Sequence, residues 1–393
     1  MSSAPDADLL VLGASFAGLG VVRRLLRRRP RFPGSIAVVD RFPRQVYLPL
    51  VHEWLVGRIA EPACRVEAAG YLTRHAGVRF VRGEVTGFDP ARGEVRLEDG
   101  RRLRAPIVVV ALGSVLAPPP GLPGRALVHR YKAWDEAHAS RTVLGRLLAR
   151  PRARIVVAGG GLSGVELAAE LAHAARRAGR AGHEVWLVTR SQAILPSFAP
   201  PVAARCRHVL ERIGVRVEVD TAVAGVSEGA VSLDGPGGRR APACDAVFWA
   251  GGVRPSPVLQ RLGLATDDDG AILCDAGLQA RTAAGEAGAL VFACGDGVSV
   301  LDPAGARLPT TRRAIECLWQ ARVVADNVAA SIEAGEAVTP ARHRARGPFP
   351  YGISLGPRSL VVWREAFLDV PAVGIGLRRL LMRLYHRRFA PGT

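Results

Sequence analysis

An α/β chain built around two phosphate-binding loops is predicted by three observations. Residues 154–171 read RIVVAGGGLSGVELAAEL, an apolar run followed by Gly159-x-Gly161-x-x-Gly164 and a helix-forming series. A degenerate second copy, LLVLGASFAGLG, occupies 9–20 and carries Gly13-x-Ser15-x-x-Gly18. Glycine is abundant at 44 residues while aromatics make up only 6%, which suits a chain with many strand-to-helix turns. Strand, tight turn and helix start is the arrangement a dinucleotide pyrophosphate needs. The first glycine makes the turn and the second lets backbone approach the phosphates. The third lets the helix pack close to the strand, and the helix N-terminus faces the negative charge. At 393 residues the chain is too long for one ordinary core, so two or three domains are expected.

Taken in order, 9–12 predicts a short buried strand, and the helix that follows runs through VVRRLLRRRP and stops at Pro30. SIAVVD at 35–40 predicts a second parallel strand ending in Asp40, the place where an acid would hold a pair of ribose hydroxyls. Ser15 replaces the central glycine and adds only a small side chain. A helix is expected near 52–59, where His52 and Glu53 suggest an acid/base pair, although exposure on that helix is the favoured reading. Residues 78–110 alternate strands and turns, with Glu98-Asp99-Gly100 as a hairpin signal. The apolar run 107–112 ends at Gly113, and the proline-rich stretch 118–123 marks a domain boundary. Residues 127–148 predict a helix.

After the central motif, HEVWLVT at 183–189 predicts the second strand of the second copy. Where an NAD site wants an acid, the chain has Thr189-Arg190-Ser191. Arg190 can pair with a 2′-phosphate, which favours NADPH; the alternative is that Arg190 faces solvent and either cofactor serves. Short strands over 215–249 lead into Gly251-Gly252. LVFACGDG at 290–297 predicts a buried strand ending in Gly295-Asp296, and a carboxylate so placed is expected to touch a ligand, because bare burial is costly. A helix over 312–330 would cover the same ligand.

The formal charge is +18, from 53 basic and 35 acidic residues, and Lys132 is the only lysine. That excess favours an anionic partner, either a nucleotide or a membrane surface; with no nucleic-acid-binding motif, nucleic acid is not expected. The six cysteines, Cys64, Cys206, Cys244, Cys274, Cys294 and Cys317, show neither CxxC nor metal-ligand spacing, so reduced thiols and no metal are expected. MSSAPDADLL lacks the features of a signal peptide, and no apolar run reaches about 18 residues, so a cytoplasmic protein without a membrane-spanning helix is expected. From residue 336 onward ten Arg face three acids, a surplus of +7. GIGLRRLLMRLYHRRF at 374–389 predicts a helix with Leu377, Leu380, Leu381, Leu384 and Tyr385 on one side, flanked by Arg378, Arg379, Arg383, Arg387 and Arg388. A basic amphipathic helix reads as an anchor to an anionic membrane surface, here the inner face; packing on its own protein or on a second subunit of a homodimer stays open.

These motifs together resemble the two-dinucleotide-binding-domain flavoproteins. Over about residues 8–330, the match is to the type II NADH dehydrogenase (NAD(P)H:quinone oxidoreductase) branch of the pyridine nucleotide-disulfide oxidoreductase superfamily. The resemblance implies two Rossmann-like, three-layer ββα domains, with the NAD(P) domain inserted into the FAD domain and a C-terminal α+β segment. The implied bounds are 1–118 with 284–335 for FAD, 119–283 for NAD(P), and 336–393 for the C-terminal segment. It assigns Gly13, Ser15, Gly18, Asp40, Arg41, Val85, Gly113, Gly295 and Asp296 to FAD, and Gly159, Gly161, Gly164, Arg190, Gly251 and Gly252 to NAD(P)H. Glu166 takes the position of a catalytic glutamate that places the nicotinamide beside the flavin. The helix starting near Arg312 would aim its N-terminal dipole at the flavin.

Two departures bear on the reaction. No redox cysteine pair lies in 41–50, which argues against disulfide reduction. Where the quinone-reducing branch carries an AQxAxQQG-like signature, 311–318 reads TRRAIECL, so Glu316 and Cys317 replace the paired glutamines. The leading expectation is an FAD enzyme that oxidises NAD(P)H and reduces a quinone at a membrane surface. The alternatives are a soluble reductase with an electron-carrier protein, oxygen or an organic acceptor, and a non-enzymatic redox sensor.

Overall fold

Runs such as LLVL and IVVV have no polar alternation, so both faces of the strands they form must be covered, and that condition is met in a parallel sheet. The computed structural model describes residues 4–28, 34–179, 181–283, 288–333, 341–344 and 349–390. By packing, the chain divides into a first unit of Met1–Gln45, Glu67–Val115 and Arg254–Arg346, and a second of Val46–Val66, Leu116–Val253 and Gly347–Thr393. These packing units cut the chain at different places from the nucleotide-based bounds: 46–66 and 347–393 belong with the second unit, and 254–283 with the first. Pro30 and the expected bounds at 284 and 335–336 lie outside the described residues.

In the first unit five parallel strands run in the order Leu290–Ala293, Ile107–Val110, Leu9–Leu12, Ile36–Asp40, Val78–Arg82. Leu9 to Leu12 are fully buried and pair with Ile36 to Val39 on one side and Ile107 to Val110 on the other. The strand order therefore reverses at Leu9–Leu12, and a crevice beyond its carboxyl end is where such sheets bind ligands. Helix Phe16–Arg28 leaves from that end. It packs against helix Ala314–Glu333, with Gly20 close to Ala321 and Arg24 gripping Asp326 through Nε–Oδ1 at 2.7 Å and Nη2–Oδ2 at 2.9 Å. The hairpin expected at Glu98-Asp99-Gly100 joins the antiparallel strands Glu94–Leu97 and Arg102–Arg104.

The second unit repeats the plan. Its parallel sheet runs Val128–His129, Ala246–Trp249, Arg154–Ala158, Glu184–Val188, Val215–Glu218, so the strand before the glycine motif again stands where the order reverses. The helix expected over 127–148 begins only at Trp134. Val128–His129 instead joins the sheet edge beside Val247 and Phe248, and the Glu136 carboxylate accepts the Ala133 N–H at 3.1 Å, fixing the helix start. The unit closes with the antiparallel strands Tyr351–Leu355, Arg358–Trp363 and Ala366–Leu368 and the helix Pro371–Arg387. That helix is two-sided. Tyr385 and, just past the helix end, Phe389 are buried, with the Tyr385 ring 4.9 Å from that of Tyr47, while Leu377, Leu380, Leu381 and Leu384 are between 36% and 52% exposed. The expected single stripe of Leu and Tyr is thus split: Tyr385 packs inward and the leucines face outward.

Candidate functional site

In the first unit, Gly13 follows the central strand with φ +104°, and a Cβ there would lie 2.4 Å from the Ala111 carbonyl oxygen. Only glycine fits both the left-handed backbone and the close approach. Two residues of the loop are tied to the neighbouring strand: Gly13 N–H donates to Val39 O at 2.8 Å, and Ala14 N–H donates to Asp40 Oδ2 at 2.7 Å. Asp40 Oδ1 takes the Phe42 N–H at 3.0 Å. Burial raises the Asp40 carboxyl above its ordinary range, opposed by these backbone N–H groups. Each carboxylate oxygen keeps a second lone pair, which is what a pair of ribose hydroxyls would use.

The other expected FAD residues divide between loop and strand positions. Gly113 is at φ +63° with open space beside it, and Val85 is buried at the start of strand Val85–Asp89. Arg41 reaches Glu84 at 3.7 Å. Gly295 N–H donates to Gln320 Oε1 at 2.6 Å, and Asp296 Oδ2 accepts from Ser114 Oγ at 2.8 Å, with Cys317 Sγ 3.4 Å from Oδ1. Ser114 and Gln320 hold that corner and carried no sequence signal of their own. The helix expected from Arg312 starts at Ala314, and Glu316 is spent near its beginning: Oε2 accepts both the N–H and the hydroxyl of Thr311 at 2.6 Å.

In the second unit, Gly159 has φ +124°, with the Ala250 backbone 2.4 Å from where a Cβ would be. Gly161 is different: a Cβ there would meet nothing within 4 Å, and no side chain caps the helix Leu162–Arg177 that starts beside it. Open space in front of uncapped helix N–H groups fits a pyrophosphate. Gly251 lies against the Trp249 ring and Gly252 is at φ +108°. Thr189 is buried with its side chain against Gly160, whereas Arg190 is exposed.

Glu166 is carried inward by its helix and is 7% exposed. Its Oε1 accepts the Ser354 N–H at 2.9 Å, and its Oε2 lies 3.5 Å from His52 Nδ1. Around it the second unit assembles a buried charge cluster. Ser354 Oγ donates to Glu170 Oε1 at 3.0 Å, and Arg58 reaches Glu53 at 2.7 Å, Glu170 at 3.3 Å and the Gly356 carbonyl. Arg378 reaches Glu53 at 3.2 Å, His52 Nε2 at 3.0 Å and the Pro49 carbonyl at 3.2 Å. Exposure of His52 and Glu53, the favoured sequence reading, is corrected: they are 2% and 4% exposed because helix Val51–Leu55 is covered all round. Burial pushes both Glu166 and Glu170 up to about 7, and burial with Arg378 and Arg58 holds His52 well below its ordinary value. His52, Glu53 and Glu170 come within 4.8 Å of one another, spacing that suits a metal, but Arg58 and Arg378 already bring positive charge to these groups. Glu170 was legible in part, since it sits one turn after Glu166 within the otherwise apolar stretch 165–172 of its helix. Arg58 and Arg378 were not. All six cysteines are free and buried.

Two parallel sheets, each with a glycine loop at its point of strand reversal, define an α/β protein that binds two nucleotides. The model of the pyridine nucleotide-disulphide oxidoreductases matches residues 7–320, and the chain belongs to that family. It is an oxidoreductase with FAD and NAD(P)H as cofactors. It is 28% identical over 386 residues to demethylphylloquinone reductase NdbB of Synechocystis sp., covering 92% of this chain and 91% of that one. It is 26% identical to NADH dehydrogenase-like protein YutJ of Bacillus subtilis, covering 67% and 70%. The fold matches NDH2 of Plasmodium falciparum, solved in complex with NADH, with TM-score 0.78 at 11% identity over 97% of this chain and 99% of that one. It also matches sulfide:quinone oxidoreductase of Aquifex aeolicus, with TM-score 0.77 at 14% identity over 98% and 92%.

Proposed function

We propose that the chain oxidises NAD(P)H through FAD and passes the electrons to a quinone at a membrane surface. The helix Pro371–Arg387 carries this reading. Leu377, Leu380, Leu381 and Leu384 lie open on it, with Arg379, Arg383 and Arg387 exposed beside them. Apolar side chains flanked by arginine suit the interface of an anionic bilayer. Among the described residues no helix is long and apolar enough to cross a membrane, which fits attachment at the surface. The Synechocystis relative, aligned over nearly the whole chain, supports a quinone as acceptor.

The first unit is assigned to FAD and the second to NAD(P)H. FAD, when bound, supplies the chemistry of hydride acceptance and onward electron transfer. Asp40 would hold the ribose hydroxyls, Asp296 the ribityl chain, and Glu166 the nicotinamide. Steady-state NADH and NADPH oxidation with a short-chain quinone, with and without anionic vesicles, tests the reading; no quinone-dependent rate overturns it. Glu316 supports the other reading, a soluble reductase with an electron-carrier protein, oxygen or an organic acceptor, because its carboxylate is held by Thr311 where the resemblance places an amide of the quinone pocket.

Arg190→Ala is expected to weaken NADPH more than NADH in the same assay, and equal effects refute a 2′-phosphate contact. The membrane role is tested on exposed residues, since truncating the helix would also remove Arg378 and the buried Tyr385 and Phe389. The double variant Leu380→Glu and Leu381→Glu is expected to lose binding to anionic vesicles at unchanged flavin content. Retained vesicle binding with altered sedimentation would assign the leucines to contact with a second copy.

A further inference from the structure

We propose that Arg378 is a positioning residue for Glu166: by its charge and through His52, it sets which protonation state Glu166 holds. The proposal deepens the reading that Glu166 serves the nicotinamide, and it is first tested without NAD(P)H. A guanidinium carries donors only. Arg378 Nη2 stands 3.0 Å from His52 Nε2, so that ring nitrogen is the acceptor and the neutral ring carries its proton on Nδ1. Nδ1 faces Glu166 Oε2 at 3.5 Å, and Ser354 N–H occupies Oε1 at 2.9 Å. A donor thus stands beside each oxygen of the ionised carboxylate. The donor on the histidine side exists because Arg378 fixes the tautomer.

Charge balance points the same way. Three buried carboxyls, Glu53, Glu166 and Glu170, face two guanidiniums, Arg58 and Arg378, beside a neutral His52. Were all three ionised, one negative charge would lack a counter-ion among the described residues, so near neutral pH the cluster retains a proton, held by Glu166 and Glu170. The groups that bear on Glu166 come from every element around it. They are His52 and Glu53 on one helix, Glu170 on its own, Cys206 on Pro200–Arg212, Ser354 on the hairpin, Arg378 on the last helix and Tyr131 from a connecting segment, with Arg58 acting on Glu53 and Glu170. Burial raises Glu166 most, and Arg378 is the strongest influence drawing it back towards the ionised form.

Infrared difference titration of the FAD-loaded enzyme tests this, with Glu166→Gln identifying the carboxyl band. The wild-type midpoint is expected at about 7. Arg378→Gln should raise it by about one unit or more, the effect of losing a neighbouring guanidinium. Arg378→Lys, which keeps the charge, should restore most of the shift. An unchanged midpoint in Arg378→Gln, or equal shifts in the Gln and Lys variants, overturns the proposal. If Arg378→Gln gives no folded holoenzyme, His52→Leu takes its place: it removes both the acceptor for Arg378 and the donor towards Glu166. A raised midpoint then supports the link, and an unchanged one overturns it. The pH profile of flavin bleaching by NADH separates the two ideas. A band that moves while the rate profile stays fixed would sink the nicotinamide role of Glu166 and leave the action of Arg378 standing.

Discussion

Gly18→Ala is expected to yield protein that purifies almost free of flavin. A Cβ at residue 18 would lie 1.8 Å from the Gly13 carbonyl oxygen and 3.0 Å from its carbon. Those are backbone atoms, and they cannot retreat without undoing the turn that ties Gly13 N–H to Val39 and Ala14 N–H to Asp40. Distortion of this kind belongs with the severe single-residue effects, above about 4 kcal/mol. Charged against binding, that is roughly a thousandfold loss of affinity. The ratio of flavin to protein absorbance checks it, and full occupancy would refute the assignment of this loop to FAD. Gly164→Ala makes the matching clash in the second unit, 1.8 Å from the Gly159 carbonyl oxygen. It should leave flavin content intact while weakening NAD(P)H, so the pair tests which loop holds which nucleotide.

Arg58→Ala should lower stability by about 3–5 kcal/mol at pH 8, the cost of leaving the buried Glu170 carboxylate without its cation and Glu53 with Arg378 alone. Glu53 and Glu170 side chains are 5% and 0% exposed, so water cannot replace the guanidinium. The pH dependence follows from the sign of the shift. Glu170 releases its proton at about 7 in the folded chain, against an ordinary 4.5. Between those values the native state binds more protons than the unfolded one, so stability falls as pH rises through that window and levels off above it. Losing Arg58 moves the folded value higher and carries the decline further upward. The deficit of Arg58→Ala should therefore be smaller at pH 6 than at pH 8. Denaturant midpoints at the two pH values measure it, and equal deficits would mean that the carboxylates are solvated.

What the sequence made legible and what it hid divide along a physical line. The two central strands, their glycine loops and Asp40 were readable because each depends on a few consecutive residues with fixed spacing. Val128–His129 was missed because two residues are too short to show a period, and their pairing with Val247 and Phe248 is tertiary. His52 and Glu53 were read as exposed because charged residues on a short helix usually are. What reverses the rule is the arrival of Arg378, 326 positions away from His52. The last helix was recognised as amphipathic, yet its pattern could not separate leucines that face outward from a tyrosine that faces Tyr47.

The distance between those partners also bears on how the second unit is made. During synthesis, residues 52–58 and then 166–170 leave the ribosome long before Ser354 and Arg378 do. Until then, Glu53, Glu166 and Glu170 lack donors that close the cluster, so sealing them away from water is unfavourable. The nascent second unit is expected to wait in an open, hydrated form and to consolidate only when the final hairpin and helix dock. Ribosome-bound chains stopped before residue 351 should accordingly be cut by protease within 46–66, and chains extended past 390 should resist.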